Sequence, residues 1–299
     1  MREKERKMAI TEARGDGIPS LDGLDTLEVL GIMNDLDSRV PLKIRDVLDS
    51  VARAVDLAAA SFAAGGRLIY VGAGTSGRIA VADAAETGPT FGVDNVEAVM
   101  AGGLQAIIRP QEDSEDDRQA GAEAMSARGI CAADTVVGIT ANGGTPFVRG
   151  ALDRASELGA ATVLVTSNAV GDFQGDCLIA VDTGPEIVRG STRLKAGTAA
   201  KLVLNMISTA SMIKVGRVVA NEMVFMLPSN AKLTRRAVAM LAQLLRLEAP
   251  AAEALLRQAG DLPAAAILMH RRGLSRDQAM AAIAENPLAV RAALLQEKG

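Results

Sequence analysis

The sequence predicts an α/β fold built on a parallel sheet with helices on both faces. Short apolar runs of strand length alternate with segments of helical periodicity between residues 43 and 190, an order typical of parallel sheets. Two of the runs, LIYV and VVGI, lead directly into glycine-rich turns. Since 49% of the residues are apolar, a sheet buried on both faces has the core that it needs.

Composition excludes several classes of function. The net charge is −4 and the basic residues form no stripe, which argues against nucleic acid as a partner. Cys131 and Cys177 lie far apart, so no disulfide framework is expected, and His270, the only histidine, cannot form a histidine-based metal cluster. No apolar run approaches the length of a membrane span, and the charged N-terminus lacks a signal core. We therefore expect a cytoplasmic protein without a metal.

Each predicted element follows from a change of pattern along the chain. Strands are expected at 67–73, 95–102, 135–141, 161–168 and 177–183. Helices are expected at 26–37, 43–64, 76–86, 112–129 and 146–160, with Gly65-Gly66 and Thr87-Gly88-Pro89 as stops of the second and third. Residues 190–245 are predicted to be helical throughout. The predicted divisions are an N-terminal segment (1–40), an α/β domain (41–245) and a small helical domain of two or three helices (246–299).

The first glycine-rich turn, GAGTSGR at 72–78, raises the question of which phosphate it holds. Its G-x-G-x-x-G spacing is typical of dinucleotide-binding turns, but those need an acidic residue at the end of the second strand. Glu97 lies at the beginning of that strand instead. The hydroxyls of Thr75 and Ser76 add donors suited to a terminal phosphate. A small phosphate is favoured, with a dinucleotide and a plain tight turn as alternatives.

The second turn, NGGTP at 142–146, strengthens that interpretation. It follows the strand at 135–141 as the first turn follows the strand at 67–73. Ligands of open parallel sheets bind outside the carboxyl ends of the strands, where glycines allow close approach and helix N-termini offer free N–H groups. Two such turns facing one crevice would hold one phosphate from both sides.

Five stretches together resemble one family. They are GRLIYVGAGTSGR, DAAETGPTFG, DTVVGITANGGTP, GPEIVRGSTRLKAGTAAKLVLNMIST and GRVVANEMV. The chain resembles the N-acetylmuramic acid 6-phosphate etherases of the sugar-isomerase (SIS) superfamily over roughly residues 9 to 299. The resemblance implies a SIS-type three-layer sandwich that binds a phosphosugar, a small helical C-terminal domain and a homodimer with the active site near the interface. It also implies cleavage of the D-lactyl ether by elimination and hydration in cell-wall recycling.

That chemistry needs two carboxyl groups and no metal or redox cofactor. The family's catalytic acid matches Glu86 in DAAETGPTFG, which the resemblance assigns to protonating the departing lactate and then activating water. Its second glutamate matches Glu115 in RPQEDSEDD, which the resemblance assigns to removing the carbon 2 proton. Glu112, one helical turn earlier on the predicted helix, is the rival. Without the resemblance, Glu86 would be a surface carboxylate at a helix end, and the acidic run a solvated face.

Phosphate binding is expected from both turns. The candidates are Gly74, Thr75, Ser76 and Gly77 in the first turn, Asn142, Gly143 and Thr145 in the second, and Ser191 and Lys195 further on. Glu186 and Thr192 are additional pocket candidates, although this stretch would look similar if it only began a helix. The family usually has Ser at 142, Arg at 144 and Cys-Pro at 87–88, where this chain has Asn142, Gly144 and Thr87-Gly88. These departures bear on substrate preference more than on the reaction.

Three alternatives compete with an etherase. A non-catalytic sugar-phosphate-binding regulator is similar in sequence, but the animal glucokinase regulatory protein is about twice as long, with two SIS units. A sugar-phosphate isomerase would also use a glutamate base, although the match outside the turns favours the etherase. A dinucleotide oxidoreductase is the most distant of the three.

Overall fold

A computed structural model describes residues 10–13, 15, 18–111 and 113–295. It divides into two compact units, one of residues 1–84 and 95–208, the other of residues 85–94 and 209–299. Each unit is described by itself. The sequence-based division at residues 40 and 245 stays a prediction.

The first unit is built on a five-stranded parallel sheet. Its strands are β1 (Leu68–Gly72), β2 (Val96–Met100), β3 (Thr135–Ile139), β4 (Ala161–Thr166) and β5 (Cys177–Ala180). Their spatial order is β2-β1-β3-β4-β5, so β1 and β3 are neighbours, with Gly72 opposite Ile139 in the register. The predicted fold class is confirmed, and the two glycine-rich turns leave the sheet side by side at its carboxyl edge.

Helices cover both faces of this sheet. The described helices that begin in the first unit are α1 (Thr26–Ser38), α2 (Val40–Arg45), α3 (Leu48–Ala63), α4 (Gly74–Phe91), α5 (Gln105–Ile108), α6 (Arg118–Ala127), α7 (Pro146–Glu157) and α8 (Lys195–Lys214). Ile69 and Val71 of β1 face a core that includes Met125 of α6 and Phe147 of α7. Since successive strand residues point to opposite faces, Leu68 and Tyr70 face the other side, where α3 packs on the sheet.

A buried polar network fixes α4 and α8 on that second face. The Asp83 carboxylate accepts hydrogen bonds from Tyr70 Oη (2.9 Å), Asn205 Nδ2 (2.5 Å) and Ser208 Oγ (3.3 Å). Burial, followed by the nearby Asp83 charge, raises the pKa of Tyr70 well above its ordinary value, so the phenol stays a donor. The carboxylate is thus satisfied inside the fold, and α4 is held where it follows the first turn.

Several predicted element bounds are wrong. The segment 43–64 is two helices, α2 and α3, although Gly65 does follow the second with φ of 75°. The stop predicted at Thr87-Gly88-Pro89 fails because α4 continues to Phe91, closed by Gly92 at φ of 63° with its N–H on the Gly88 carbonyl. The acidic segment is helical only from Arg118. Residues 215–230 are turns with an isolated Val219–Glu222 bridge rather than helix.

The second unit has a helical core of its own. Its described helices after α8 are α9 (Ala231–Leu245), α10 (Ala249–Gln258), α11 (Pro263–Arg272), α12 (Arg276–Glu285) and α13 (Leu288–Leu295). The last four occupy the segment where two or three were expected. Phe225 joins their apolar core, and the Arg217 guanidinium lies 4.7 Å from its ring centroid. In the part of the chain that is described, no helix is long and apolar enough to cross a membrane.

Candidate functional site

The first turn is shaped by close backbone packing between β1 and α4. A Cβ added to Gly77 would lie 2.8 Å from the Gly72 carbonyl oxygen, and one added to Gly72 would lie 2.7 Å from Gly77 N. Gly74 begins α4 at φ of 53°, a conformation that favours glycine. The N–H groups of the first helical turn have no intrahelical acceptor and point out of the helix end. The turn therefore presents backbone donors together with the hydroxyls of Thr75 and Ser76.

The second turn is held by its own polar side chains. Asn142 Oδ1 accepts hydrogen bonds from Gly144 N (2.9 Å) and Thr140 Oγ1 (3.0 Å). Thr140 Oγ1 also lies 2.6 Å from Thr145 Oγ1, at the residue that precedes α7. Because Oδ1 of Asn142 is engaged within the turn, the Nδ2 group is the donor that this side chain offers to a ligand.

Two further side chains anchor the second turn to the rest of the unit. Arg149 donates from Nε to the Gly143 carbonyl at 2.8 Å and pairs with Asp172 at 2.7 Å. The buried Asn168 donates from Nδ2 to the Ala141 carbonyl at 2.7 Å. The backbone carbonyls of the turn are thus fixed from outside, which preorganises it before a ligand arrives.

Both turns open onto one cavity of about 290 Å³. Its described lining residues are Thr11, Glu12, Ala73, Gly74, Thr75, Ser76, Glu115, Ile139, Thr140, Ala141, Asn142, Thr145 and Thr192. The cavity therefore brings together seven of the residues predicted for the site: Gly74, Thr75, Ser76, Glu115, Asn142, Thr145 and Thr192. Gly77 and Gly143 lie in the same turns behind this wall.

A second cavity of about 410 Å³ adjoins the first. The two share Ala73, Gly74 and Glu115 as lining residues, so Glu115 lies at their junction. Arg78, Met100, Gln111, Asp113 and Asp116 line the second cavity but not the first. No glycine pattern or spacing rule singled out Arg78 as a pocket residue, although it closes the GAGTSGR motif.

Glu115 is exposed and lies in the turn before α6 rather than on a helix. Its backbone carbonyl accepts a hydrogen bond of 3.0 Å from Phe147 N in the first turn of α7, which fixes the turn beside the second loop. The argument that placed Glu112 and Glu115 on one helical face fails, because the residues from Asp113 to Asp117 are not helical. Glu112 itself lies outside the described residues.

The N-terminal 3-10 helix Ile10–Glu12 supplies lining residues that sequence reasoning missed. Ile10 N donates to Asn168 Oδ1 at 2.6 Å, and Asn168 Nδ2 donates to the buried Thr11 Oγ1 at 3.2 Å. Arg189 Nε donates to the Glu12 carbonyl at 2.7 Å. These contacts join positions more than 150 residues apart, so no local pattern could have revealed them.

Glu186 and Lys195 serve the start of α8. The Glu186 carboxylate, buried, accepts from the backbone N–H groups of Lys195 (3.1 Å) and Ala196 (3.0 Å). Lys195 Nζ donates to the Thr183 carbonyl at 2.7 Å, and burial lowers the pKa of this ammonium. Neither lines the described cavity wall, whereas Thr192 does, and Ser191 is its neighbour. A binding role for Lys195 and Ser191 stays a prediction.

Glu86 lies in the part of α4 that belongs to the second unit, and its side chain is exposed. Its backbone carbonyl accepts from Thr90 Oγ1 at 2.7 Å. Pro89 has no N–H to donate within the helix, yet α4 continues past it to Phe91. The carboxylate has the solvent access that an acid–base group needs, and its catalytic role stays a prediction.

The sheet order and the paired turns define the class of this protein, a SIS-type α/β protein. A family model described as the glucokinase regulatory protein N-terminal SIS domain matches residues 50–156. A solved structure described as a phosphosugar isomerase involved in capsule formation, from Bacteroides fragilis, superposes with a TM-score of 0.50 at 16% identity, covering 64% of this chain and 91% of that one. That likeness concerns the fold alone.

Curated relatives show the family. The N-acetylmuramic acid 6-phosphate etherase of Symbiobacterium thermophilum is 48% identical, over 84% of this chain and 85% of its own length. The protein of the same name from Serratia proteamaculans is 43% identical, over 95% and 97%. The chain belongs to the N-acetylmuramic acid 6-phosphate etherase family.

Proposed function

We propose that this chain cleaves the D-lactyl ether of N-acetylmuramic acid 6-phosphate, giving N-acetylglucosamine 6-phosphate and D-lactate. The observation that carries the proposal is the cavity at the carboxyl edge of the sheet, which joins both glycine-rich turns to Glu115 in a chain of the etherase family. Water is the second reactant, because the lactate oxygen that leaves carbon 3 is replaced by a hydroxyl.

The sugar phosphate binds through uncharged donors. The first turn of α4 offers backbone N–H groups and the positive end of the helix dipole to the phosphate. Thr75 and Ser76 from the first turn and the Nδ2 of Asn142 from the second complete the cradle. Thr145 lines it, with its O–H donated to Thr140 Oγ1 because the Thr140 hydroxyl itself donates to Asn142 Oδ1. This arrangement satisfies the phosphate oxygens although Gly144 stands where the family usually has an arginine.

The reaction proceeds on the open-chain aldehyde, whose carbon 2 proton is acidic. Glu115 removes that proton, the carbon 3–oxygen bond breaks, and Glu86 protonates the departing lactate. Glu86 then takes a proton from water as the hydroxyl adds to carbon 3, and a proton returns to carbon 2. Two carboxyl groups therefore account for every proton.

The working form is a cytoplasmic homodimer. Helix α1 has no buried residue, and Leu27 and Leu30 on it are 78% and 55% exposed, which leaves an apolar surface for a second copy. Leu42 in α2 and Leu48 in α3 are also exposed, at 58% and 46%. Light scattering of wild type and Leu27→Lys checks this: the variant is expected to shift toward the monomer.

The reaction is tested by D-lactate release and by exchange of the carbon 2 proton in deuterium oxide. Glu115→Gln is expected to lose both, by a factor of about 10² to 10⁴, since the base for carbon 2 is gone. Glu86→Gln is expected to slow lactate release by a similar factor while carbon 2 still exchanges with solvent. In oxygen-18 water, the wild type should place the label at carbon 3 of the sugar.

Matched exposed glutamates serve as controls. Glu123→Gln in α6 and Glu285→Gln in α12 remove one carboxylate each from the same two units and should leave both rates unchanged. Carbon 2 exchange that survives in Glu115→Gln would contradict the assignment of the base. If wild type binds the sugar phosphate but releases no lactate, a non-catalytic regulator replaces the etherase.

A further inference from the structure

We infer that Arg78 binds the carboxylate of the lactyl group, and that the cavity of about 410 Å³ is the lactyl subsite. This inference rests on the proposed function and assigns a place to the second anionic group of the substrate. It makes Arg78 a substrate-contacting residue that distinguishes the ether from the product sugar phosphate.

Arg78 is the single cation among the described residues that line the two cavities. The 290 Å³ cavity has neutral donors and a helix N-terminus for the phosphate, so the phosphate does not require a guanidinium. The lactyl carboxylate is the other anion of the substrate, and a planar guanidinium suits it as a two-pronged partner.

The guanidinium is held in place before any ligand binds. Arg78 Nε donates to the Ile107 carbonyl at 2.9 Å, and Nη2 donates to the Ala106 carbonyl at 2.7 Å. Two of its five N–H groups are used in these bonds, and both acceptors are neutral. No described carboxylate forms an ion pair with it, so the charge and the remaining N–H groups are available to an anion at the cavity wall.

The geometry of the substrate matches the order of the two cavities. Glu115 lies at the junction, where the proposed reaction needs its base beside carbon 2. The lactyl oxygen is attached to carbon 3, the next atom of the sugar. A sugar phosphate that fills the 290 Å³ cavity with carbon 2 at the junction therefore directs its lactyl group into the cavity that Arg78 lines.

The same cavity also explains how lactate leaves. Asp113 and Asp116 line it and are exposed, so their repulsion of an anion is partly screened by solvent. While lactate is tethered to the sugar, contact with Arg78 outweighs this repulsion. Once the ether is broken, the neighbouring carboxylates disfavour rebinding of free lactate, which favours release of that product.

The inference is tested by measuring two proteins, with and without the Arg78 charge, against three ligands, with and without the lactyl carboxylate. Wild type and Arg78→Gln are each measured with N-acetylmuramic acid 6-phosphate, with its lactyl carboxamide as a competitive inhibitor, and with N-acetylglucosamine 6-phosphate. In wild type, the carboxamide should bind roughly 10- to 100-fold more weakly than the substrate. In Arg78→Gln, KM should rise by about that factor, the preference for the carboxylate should disappear, and binding of N-acetylglucosamine 6-phosphate should be unchanged.

The results distinguish binding of the lactyl carboxylate by Arg78 from binding of the phosphate and from a structural role. Equal weakening of both sugar phosphates would overturn the inference and assign Arg78 to the phosphate or to the scaffold. Arg78→Lys should recover part of the preference, and the exposed Arg109→Gln should behave as wild type. If the Arg78 variants do not fold, the carboxamide comparison on wild type still decides, because equal binding of acid and amide contradicts a cationic subsite. Absence of lactate release by wild type would instead reject the proposed function.

Discussion

The two edges of the central sheet use opposite chemistry. At the amino edge, the Arg67 guanidinium lies between Asp134, at 2.8 Å, and Glu97, at 3.3 Å, just where β1 and β3 begin. At the carboxyl edge, β1 and β3 end in two turns that line one cavity with hydroxyls and an amide. The first edge has its charges paired within the fold. The second keeps donors for a ligand.

The difference separates stability from function. Asp134 is 2% exposed and accepts four hydrogen bonds, from Arg67 N, Nε and Nη2 and from Cys131 N, so this edge stabilises the unit. The turns at the other edge pack tightly enough to fix their backbone, and their polar side chains line a cavity. Variants at one edge should therefore change the free energy of unfolding, and variants at the other should change kinetics.

The largest effect is expected for Gly77→Ala at the carboxyl edge. The new Cβ would lie 2.8 Å from the Gly72 carbonyl oxygen and 2.9 Å from Met100 Cγ, so the backbone of the first turn must open. Displacing the phosphate cradle by a fraction of an ångström should lower kcat/KM by about 100-fold. Steady-state release of D-lactate measures it. Gly23→Ala in the 3-10 helix Leu21–Gly23, where a Cβ meets nothing within 4 Å, is the matched control and should keep full activity.

A large effect on stability is expected for Asp134→Asn at the amino edge. The change leaves Arg67 without its buried partner and should cost about 2–3 kcal/mol of unfolding free energy. Because the substitution lies at the opposite edge from the turns, kcat/KM of the folded protein should stay within a factor of two of wild type, by our estimate. Urea unfolding measures the free energy, and lactate release measures kcat/KM. A loss of kcat/KM without a loss of stability would contradict the assignment of the amino edge to stability.

The same carboxylate predicts a dependence on pH. Burial acts to raise the pKa of Asp134, but the hydrogen bonds from Arg67 and from the backbone outweigh it and lower the pKa below its ordinary value. A lowered carboxyl pKa contributes stability above the unfolded pKa of about 3.9 and loses it as pH falls through the folded pKa. Wild type should therefore lose more stability than Asp134→Asn as pH falls below about 4.

The sequence predicted the parts of this fold that depend on local pattern. Alternating apolar runs predicted the parallel sheet, and the glycines of GAGTSGR and NGGTP predicted two turns at its carboxyl edge. These succeed because a strand and its following turn are encoded within about ten residues. Gly92 rather than Pro89 ends α4, since one missing N–H near the helix end does not stop the helix, whereas the left-handed backbone of Gly92 does.

The features of the site that the sequence did not reveal depend on contacts between distant positions of the chain. Thr11 and Glu12 reach the cavity because Asn168 and Arg189 hold their segment, and nothing near residue 12 records those partners. Lys195 is predicted to bind the phosphate, and that role stays a prediction. Without a ligand its ammonium donates to the Thr183 carbonyl, and its backbone N–H donates to the buried Glu186 carboxylate at the start of α8. A charged residue at the start of a helix can bind a ligand or stabilise the helix end, and sequence spacing does not distinguish the two roles.

A moderate effect is expected for Thr140→Val behind the second turn. The change keeps the shape of this buried side chain but removes its hydrogen bonds to Asn142 and Thr145. These bonds hold the turn in its binding conformation, and losing about 1 kcal/mol of that stabilisation should raise KM by about fivefold, with kcat less affected. Thr162→Val is the matched control, since its hydroxyl bonds to Asp176 at the start of β4. Thr162→Val should lower the midpoint of unfolding without changing KM. An equal rise in KM for both variants would contradict the conclusion that only the carboxyl edge affects kinetics.

The smallest effect is expected for Glu97→Gln at the amino edge. Glu97 pairs with Arg67 at 3.3 Å and with Arg128 at 3.8 Å, but its side chain is 36% exposed, so solvent screens both attractions. Such pairs contribute about 0.5 kcal/mol, and less in high salt. The difference in unfolding free energy from wild type should therefore shrink between low and high salt, with lactate release unchanged throughout. A larger, salt-independent loss would mean that Arg67 depends on Glu97 for its position on Asp134, and the amino edge would then be one coupled network instead of a buried pair with a surface neighbour.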